Sequence, residues 1–259
     1  MDAGVGGYGA TGGGGHRAGA GPGLVRRFGG LFHPALGRLR TRWREAERAG
    51  QPPSRFECRR LLAESGGLPF RVHEVRGGQR VERVGDCSVL DLDAVAKGWI
   101  VDRAAEAGLE PGVDWVMVNV GGDLRLAGPG SVRVAIENPT AAIDNAPPLG
   151  VVVMQPGGLA SSGSARRGFT VGGRRFGHVL DPRTGWPVED PVGVTVIASD
   201  TATADALATV LGIAGLDQPA SAALLARVGA AALVVNAEGN VGLSPRWPRD
   251  VDSDLAATD

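Results

Sequence analysis

Five short runs of this sequence carry side chains that can handle a phosphate ester. In Asp91-Leu-Asp-Ala-Val-Ala-Lys97-Gly98 an acidic stretch leads into a helical pattern. A helix N-terminus offers free N–H groups and partial positive charge, which suits phosphate. Lys97, expected in the first turn of that helix, adds a full charge; the plain alternative is a capped helix with an exposed lysine. Asn119-Val-Gly121-Gly122-Asp123 follows an apolar run. Paired glycines let a ligand approach the backbone closely, and they equally make a hairpin turn. Ser161-Ser162-Gly163-Ser164, ahead of Arg166 and Arg167, reads as a polar loop whose hydroxyls and amides suit an anion.

The remaining two runs suggest proton transfer and a metal. Gly177-His178-Val-Leu-Asp181-Pro-Arg183-Thr-Gly185 places an imidazole, a carboxylate and a guanidinium around one turn. Histidine is the usual general base near neutral pH, and the alternative is a turn with a hydrogen-bonded histidine. Asp205 and Thr209 are four residues apart, hence on one helix face, among Ala202, Ala204, Ala206 and Ala208. A carboxylate and a hydroxyl completed by carbonyls and substrate phosphate suit Mg2+; the alternative is a buried helix with its aspartate paired outward. His16 lies in the glycine-rich stretch, His33 and His73 have no acidic or cysteine partner at metal-ligand spacing, and no zinc, nucleophile-elbow or Walker pattern occurs.

Several elements must position these runs. Pro34 to Ala49 and Phe56 to Glu64 are expected to be helical, the second ended by Gly66-Gly67. Val89–Asp91 reads as a short strand, and Ala94 to Ala107 as a helix ended by Gly108. Residues 115–120, 131–137, 150–154, 167–171, 193–198 and 231–236 read as strands. Asp200 to Ile213 reads as a helix, with Ser199, Asp200 and Thr201 as capping candidates. Antiparallel-looking strands mixed with a few helices predict an α+β fold with mixed or antiparallel sheets, in one domain. Residues 1–23 are expected to be a flexible glycine-rich tail, 24–243 the domain, and 244–259 a loose C-terminal tail.

Composition excludes some functions. The chain has 259 residues and a net charge of −1, which argues against binding nucleic acid through its phosphates. Two cysteines, Cys58 and Cys87, make no disulfide framework. No apolar run is long enough to span a bilayer, and the first 25 residues show no apolar signal core. The expected location is therefore cytoplasmic or undefined. Of 27 basic residues the only lysine is Lys97, and lysine and arginine are not interchangeable.

The order of the motifs resembles that of the FAD:protein FMN transferases, the ApbE family. The resemblance rests on Asp91-Leu-x-x-Val-Ala-Lys-Gly98, Asn119-Val-Gly-Gly-Asp123, Ser162-Gly163, His178-x-x-Asp-Pro-Arg-Thr-Gly-x-Pro187, Val194-Thr-Val-Ile-Ala198 and Ala204-Asp-Ala-Leu-Ala-Thr209. It runs from Val89 to Val235 and extends weakly back to Gly30-Leu-Phe-His-Pro34. It implies Mg2+ and FAD, transfer of FMN to a Ser or Thr hydroxyl of a partner protein, and release of AMP. Some members of the family instead hydrolyse FAD to FMN and AMP. By resemblance, His178 is the catalytic histidine, and Asp205, Thr209 and the Ala96 carbonyl hold the metal. Lys97, Asn119, Gly121, Gly122, Asp123, Ser162 and Gly163 line the FAD site, with Asp181 and Arg183 as lesser candidates.

The sequence departs from the family pattern in places. Asp93-Ala94 stands where the family has Gly-Gly, and Ser164 where it has aspartate. The region before Gly30 differs, and the first 25 residues show no export signal of the kind common in the family. These departures leave two alternatives: a nucleotide-binding homologue without catalysis, and a partial module completed by a second chain.

Overall fold

The computed structural model describes residues 28, 30–65, 70–76, 78–84, 89–141, 146–163, 167–190 and 192–248. The expected glycine-rich tail, Gly66-Gly67, Cys87, Ser164 and Arg166 lie outside them.

The chain first forms a 3-10 turn, Pro34–Leu36, and helix α1, Gly37–Ala49. His33 caps the turn by accepting the Ala35 N–H, and Gly50 ends α1 in the left-handed conformation favoured by glycine. Helix α2 is Arg55–Ser65. A hairpin of β1, Phe70–Val75, and β2, Gly78–Arg83, follows in a stretch where the sequence showed only scattered apolar residues. Within it His73 pairs with Glu82 at 2.7 Å, a partner set by strand pairing. Residues 89–92 are not a strand; they lead into helix α3, Asp93–Gly108. Lys97 therefore lies in the second turn of α3 rather than the first.

Six antiparallel strands make the central sheet, in the order β12-β11-β10-β7-β4-β3. These are β3, Val116–Val120; β4, Asp123–Ala127; β7, Gly157–Gly163; β10, Gly193–Ala198; β11, Ala231–Val235; and β12, Val241–Leu243. Strand β7 corrects the reading of Ser161-Ser162-Gly163 as a loop. Its register pairs Ser161 with Thr195 and Ser162 with Val194. Two hairpins stand apart from the sheet: β5, Val132–Ile136, with β6, Gly150–Met154; and β8, Gly168–Val171, with β9, Arg174–Gly177. Helices α4, Thr201–Ala214, and α5, Pro219–Val228, complete an α+β domain. The sequence reading had not found β4, β9, α5 or β12.

Burial explains this layering. Strand β11 is buried along its whole length, and its residues alternate between two cores. Ala232 and Val234 face α4, with Leu207 and Leu211, while Leu233 and Val235 face the β5–β6 hairpin, with Ile136, Val152 and Met154. A strand covered on both faces is apolar throughout, so its sequence shows no alternation. A separate core joins Trp43 of α1 to Phe169, Phe176 and Leu180. Ser244 and Trp247 are buried, so the start of the expected C-terminal tail belongs to the domain. Ser244 Oγ accepts the Ala232 N–H at 2.8 Å, and Trp247 packs in the core beneath the hairpin. Among the described residues, no helix is long and apolar enough to cross a membrane.

Candidate functional site

Helices α3 and α4 meet where a side chain has no room. A Cβ on Gly98 would lie 2.4 Å from the Thr201 carbonyl oxygen. Its absence lets the Gly98 N–H reach across and donate to Asp205 Oδ2 at 3.1 Å. One turn further along α3, the buried Asp102 accepts the N–H groups of Thr201 and Ala202, each at 2.9 Å. Asp200 caps the same helix end by accepting the Thr203 N–H at 2.7 Å. These bonds occupy donors that a helix start leaves free, and they fix how α4 presents Asp205. Asp102 was not among the residues singled out from sequence, because only the packing of the two helices gives it a role.

One ammonium then pairs with one buried carboxylate and acts on a second through its charge. Asp123 is fully buried at the start of β4, and Lys97 Nζ lies 2.8 Å from its Oδ1. Burial pushes the Asp123 carboxyl above its ordinary range, and Lys97 opposes that shift. Asp205 is pushed up to about 6, first by burial and then by the charge of Asp123, against the Gly98 N–H and Lys97. A site with more buried carboxylate than cation fits a bound positive ion. Thr209 lies one turn below Asp205 on α4 and lines the same cavity. A carboxylate and a hydroxyl are hard oxygen donors, the kind Mg2+ prefers. Among the described residues, no three His, Cys, Asp or Glu side chains gather into a metal-binding cluster. A cation here would rest on Asp205, Thr209 and backbone carbonyls.

His178 reaches the same space from the other side. It follows β9 and begins a turn closed by the Asp181 N–H to Trp186 carbonyl bond at 2.9 Å and the Gly185 N–H to Asp181 carbonyl bond at 2.7 Å. Gly185 has φ +71°, and its carbonyl accepts the Trp43 indole N–H at 3.1 Å, which pins the turn to α1. The His178 imidazole is held down to about 4, by burial first and then by the charges of Arg40 and Arg167. It is therefore neutral near pH 7, and its buried Nδ1 has no hydrogen-bond partner among the described residues.

A cavity of about 380 Å³ joins these pieces. Its lining includes Lys97, Asn119, Gly121, Gly122, Ser162, Gly163, His178, Asp205 and Thr209. Asn119 Oδ1 accepts the Gly122 N–H at 3.2 Å, which shapes the turn between β3 and β4. Four expected site residues stand outside the lining. Ala96 is within α3, and Asp123 lies beneath Lys97. Asp181 and Arg183 are bound to each other, with Arg183 Nη2 2.8 Å from Asp181 Oδ2 and also reaching the Ile213 carbonyl. That pair pins the turn and does not orient His178. The cavity also takes in residues that the sequence did not mark: His33, Arg40, Thr195 and β5 residues Val134–Ile136. Ser161 and Arg167, which the sequence marked as suited to an anion, line it as well, with Ser161 Oγ 2.9 Å from Thr195 Oγ1. The alternation in β5 was visible; its placement over the cavity was not.

Comparison with known proteins points the same way. A model of the ApbE family matches residues 21–241. The chain is 34% identical over 197 residues to the FAD:protein FMN transferase of Rhodobacter capsulatus, covering 74% of this chain and 36% of that one. It is 35% identical over 195 residues to the protein of that name from Escherichia coli K12, covering 73% and 54%. The chain thus spans about a third to three-fifths of the length of the curated relatives it matches. The crystal structure of the ApbE protein of Thermotoga maritima aligns with a TM-score of 0.75 at 28% identity, over 88% of this chain and 75% of that one. The apo flavinyl transferase ApbE of Pseudomonas stutzeri aligns with a TM-score of 0.65 at 27% identity, over 87% and 70%. The ordered motifs, the α+β architecture and the family match over most of its length agree: the chain belongs to the ApbE family.

Proposed function

We propose that the protein transfers FMN from FAD to a Ser or Thr hydroxyl of a partner protein, releases AMP, and depends on Mg2+. The observation that carries this reading is the cavity that a neutral His178, its Nδ1 unpaired, shares with Lys97 and Asp205. The names of the relatives supply the flavin and the protein acceptor.

Each residue then has a task. The acceptor hydroxyl attacks the phosphorus on the FMN side of the pyrophosphate. A new P–O ester bond forms, the bond to the AMP phosphate breaks, and AMP leaves with that bonding pair. His178 takes the hydroxyl proton, which its neutral form allows. Asp205, Thr209 and the Ala96 carbonyl would hold Mg2+, which neutralises charge on the pyrophosphate oxygens when bound. Lys97 balances the buried Asp123 and keeps it from repelling the substrate. The turn of Asn119, Gly121 and Gly122 and the end of β7 at Ser162 and Gly163 give the ligand close access to backbone. Asp181 and Arg183 support the histidine turn.

The test is incubation of the protein with FAD and Mg2+, with AMP followed by chromatography and covalent flavin followed on Ser- and Thr-containing acceptor proteins. The wild type should release AMP; His178→Ala and Asp205→Ala should not. Absence of AMP from the wild type, or equal release by all three proteins, overturns the reading.

A further inference from the structure

Arg40 has more hydrogen-bonding capacity than its ion pairs use, and it faces the cavity. It lies on α1, four-fifths buried, and lines the same space as His178 and Lys97. Its Nη1 lies 2.9 Å from Asp91 Oδ2, and its Nη2 lies 2.8 Å from Asp93 Oδ2. Its Nε is buried and has no hydrogen-bond partner among the described residues.

The two carboxylates differ in kind. Asp91 is only 18% exposed and is fixed twice more: its N–H donates to the Pro34 carbonyl at 2.7 Å, and its Oδ1 accepts the Asp93 N–H at 3.1 Å. Asp93 is 67% exposed and is the first residue of α3. Asp91 is an anchor, whereas Asp93 holds the guanidinium through one solvent-exposed bond. Exposed ion pairs contribute little, because water competes for both partners and the side chains lose freedom. Arginine bound to phosphate forms charge-assisted bonds with better matched geometry.

We propose that Arg40 is a substrate-phosphate ligand held in reserve by Asp93, whose carboxylate occupies the place that a pyrophosphate oxygen of the dinucleotide takes on binding. The proposal rests on the reading of this cavity as the FAD site. Three observations converge on it. The anchored bond to Asp91 keeps the guanidinium at the cavity wall when Asp93 lets go. The unused Nε provides a further donor for an incoming anion. The start of α3, where Asp93 lies, favours any negative group that replaces the carboxylate. Arg40 also lies close enough to His178 for its charge to act on the imidazole, which sets it beside the reacting phosphate. Asp93 is then a built-in competitor, and it stops the free guanidinium from collecting other anions.

The two partners of this pair therefore have opposite effects on binding. Full-length wild type, Arg40→Gln, Arg40→Lys and Asp93→Asn are titrated with FAD, with flavin fluorescence as the readout and circular dichroism as the check on folding. Loss of a charged hydrogen bond predicts that Arg40→Gln raises the FAD Kd by about tenfold, with partial recovery in Arg40→Lys. Removal of a weak exposed competitor predicts that Asp93→Asn lowers the Kd by about two- to threefold. If the pair only braces the fold, both variants weaken binding together, and the proposal falls. Unchanged affinity in Arg40→Gln overturns it equally. If the wild type binds no FAD, the reading of the cavity fails instead. The same four proteins titrated with inorganic pyrophosphate by calorimetry still show whether Arg40 and Asp93 act in opposite directions on an anion.

Discussion

Asp205 and His178 line one cavity and are displaced from their ordinary titration in opposite directions. Asp205 rises from 3.8 to about 6, so between those values the folded protein holds more protons than the unfolded chain. Its contribution is fully present below pH 3.8 and is lost as pH rises through about 6. His178 falls from 6.5 to about 4, so in that window the unfolded chain holds more protons. Its contribution is present above pH 6.5 and is lost as pH falls toward 4. The two slopes oppose each other and partly cancel in the wild type, so single variants should expose them. Metal-free Asp205→Asn should be more stable than wild type at pH 8, by about 1–3 kcal/mol from the size of the shift, with the gap closing by pH 4. The asparagine oxygen can still accept the Gly98 N–H. Urea unfolding in EDTA at both pH values measures this, and a less stable variant at pH 8 refutes it. His178→Gln should remove the acid-side loss, on the order of 3 kcal/mol between pH 6.5 and 4. The same unfolding series should then show stability falling as pH rises from about 4 to 6, the Asp205 slope standing alone, where the wild type is flatter. Most of these site residues were legible in the sequence, because helix spacing and glycine turns mark them. Arg40 was not: it is one of 26 arginines, and only the packing of α1 against the start of α3 distinguishes it.

The helices and strands show where reading by pattern stops. Helix α4 was visible from its caps and alanine spacing, because its chemistry is local. Strand β7 was not, since its residues Gly-Gly-Leu-Ala-Ser-Ser-Gly look like a loop. Its glycines instead answer a packing need: a Cβ on Gly158 would lie 2.2 Å from the Thr201 backbone nitrogen. Small residues bring strand and helix together, so the apparent loop composition is a record of contact. Gly98 serves the same end from α3, and it supports a prediction at this scale. Gly98→Ala gains helix propensity, yet its new methyl meets the Thr201 carbonyl and Ala202 Cα. Backbone cannot step aside as a flexible side chain does, so overpacking should win and destabilise the protein by about 1–3 kcal/mol. Separation of α3 from α4 should also break the Gly98–Asp205 bond and weaken the response to Mg2+. Thermal unfolding with and without Mg2+ tests both parts. A variant with wild-type Tm and wild-type Mg2+ response removes the role assigned to this glycine.

Across the whole molecule, the cavity lies where three cores meet. Phe32, from the core around α4 and the sheet, Leu36 and Leu180, from the core around Trp43, and Ile136 and Leu233, from the core beneath the β5–β6 hairpin, all line it. Asp205 comes from α4 in the first core, His178 from the turn that contributes Leu180 to the second, and Asp123 from β4, which contributes Leu124 and Leu126 to the third, so the site needs all three packed together. This is why the order of motifs along the chain pointed to a family while the geometry stayed hidden: the partners come from distant segments. Trp43 holds the core beside the histidine turn together, through its stack on Phe169 at 5.8 Å, its edge contact with Trp186 at 4.8 Å, and its bond to Gly185. Trp43→Ala should lower stability by about 3–5 kcal/mol, the usual range for emptying a large aromatic site. If the turn positions His178 for the ligand, the same change should also weaken FAD binding at a distance. Ligand at about 100 times Kd adds about 2.7 kcal/mol to a protein that binds it only when folded. At that fixed FAD concentration the wild type should show this gain in urea unfolding followed by circular dichroism, and Trp43→Ala should show a smaller one. An equal gain in both proteins would mean that the aromatic core stabilises only itself and does not hold the histidine turn in place for the ligand.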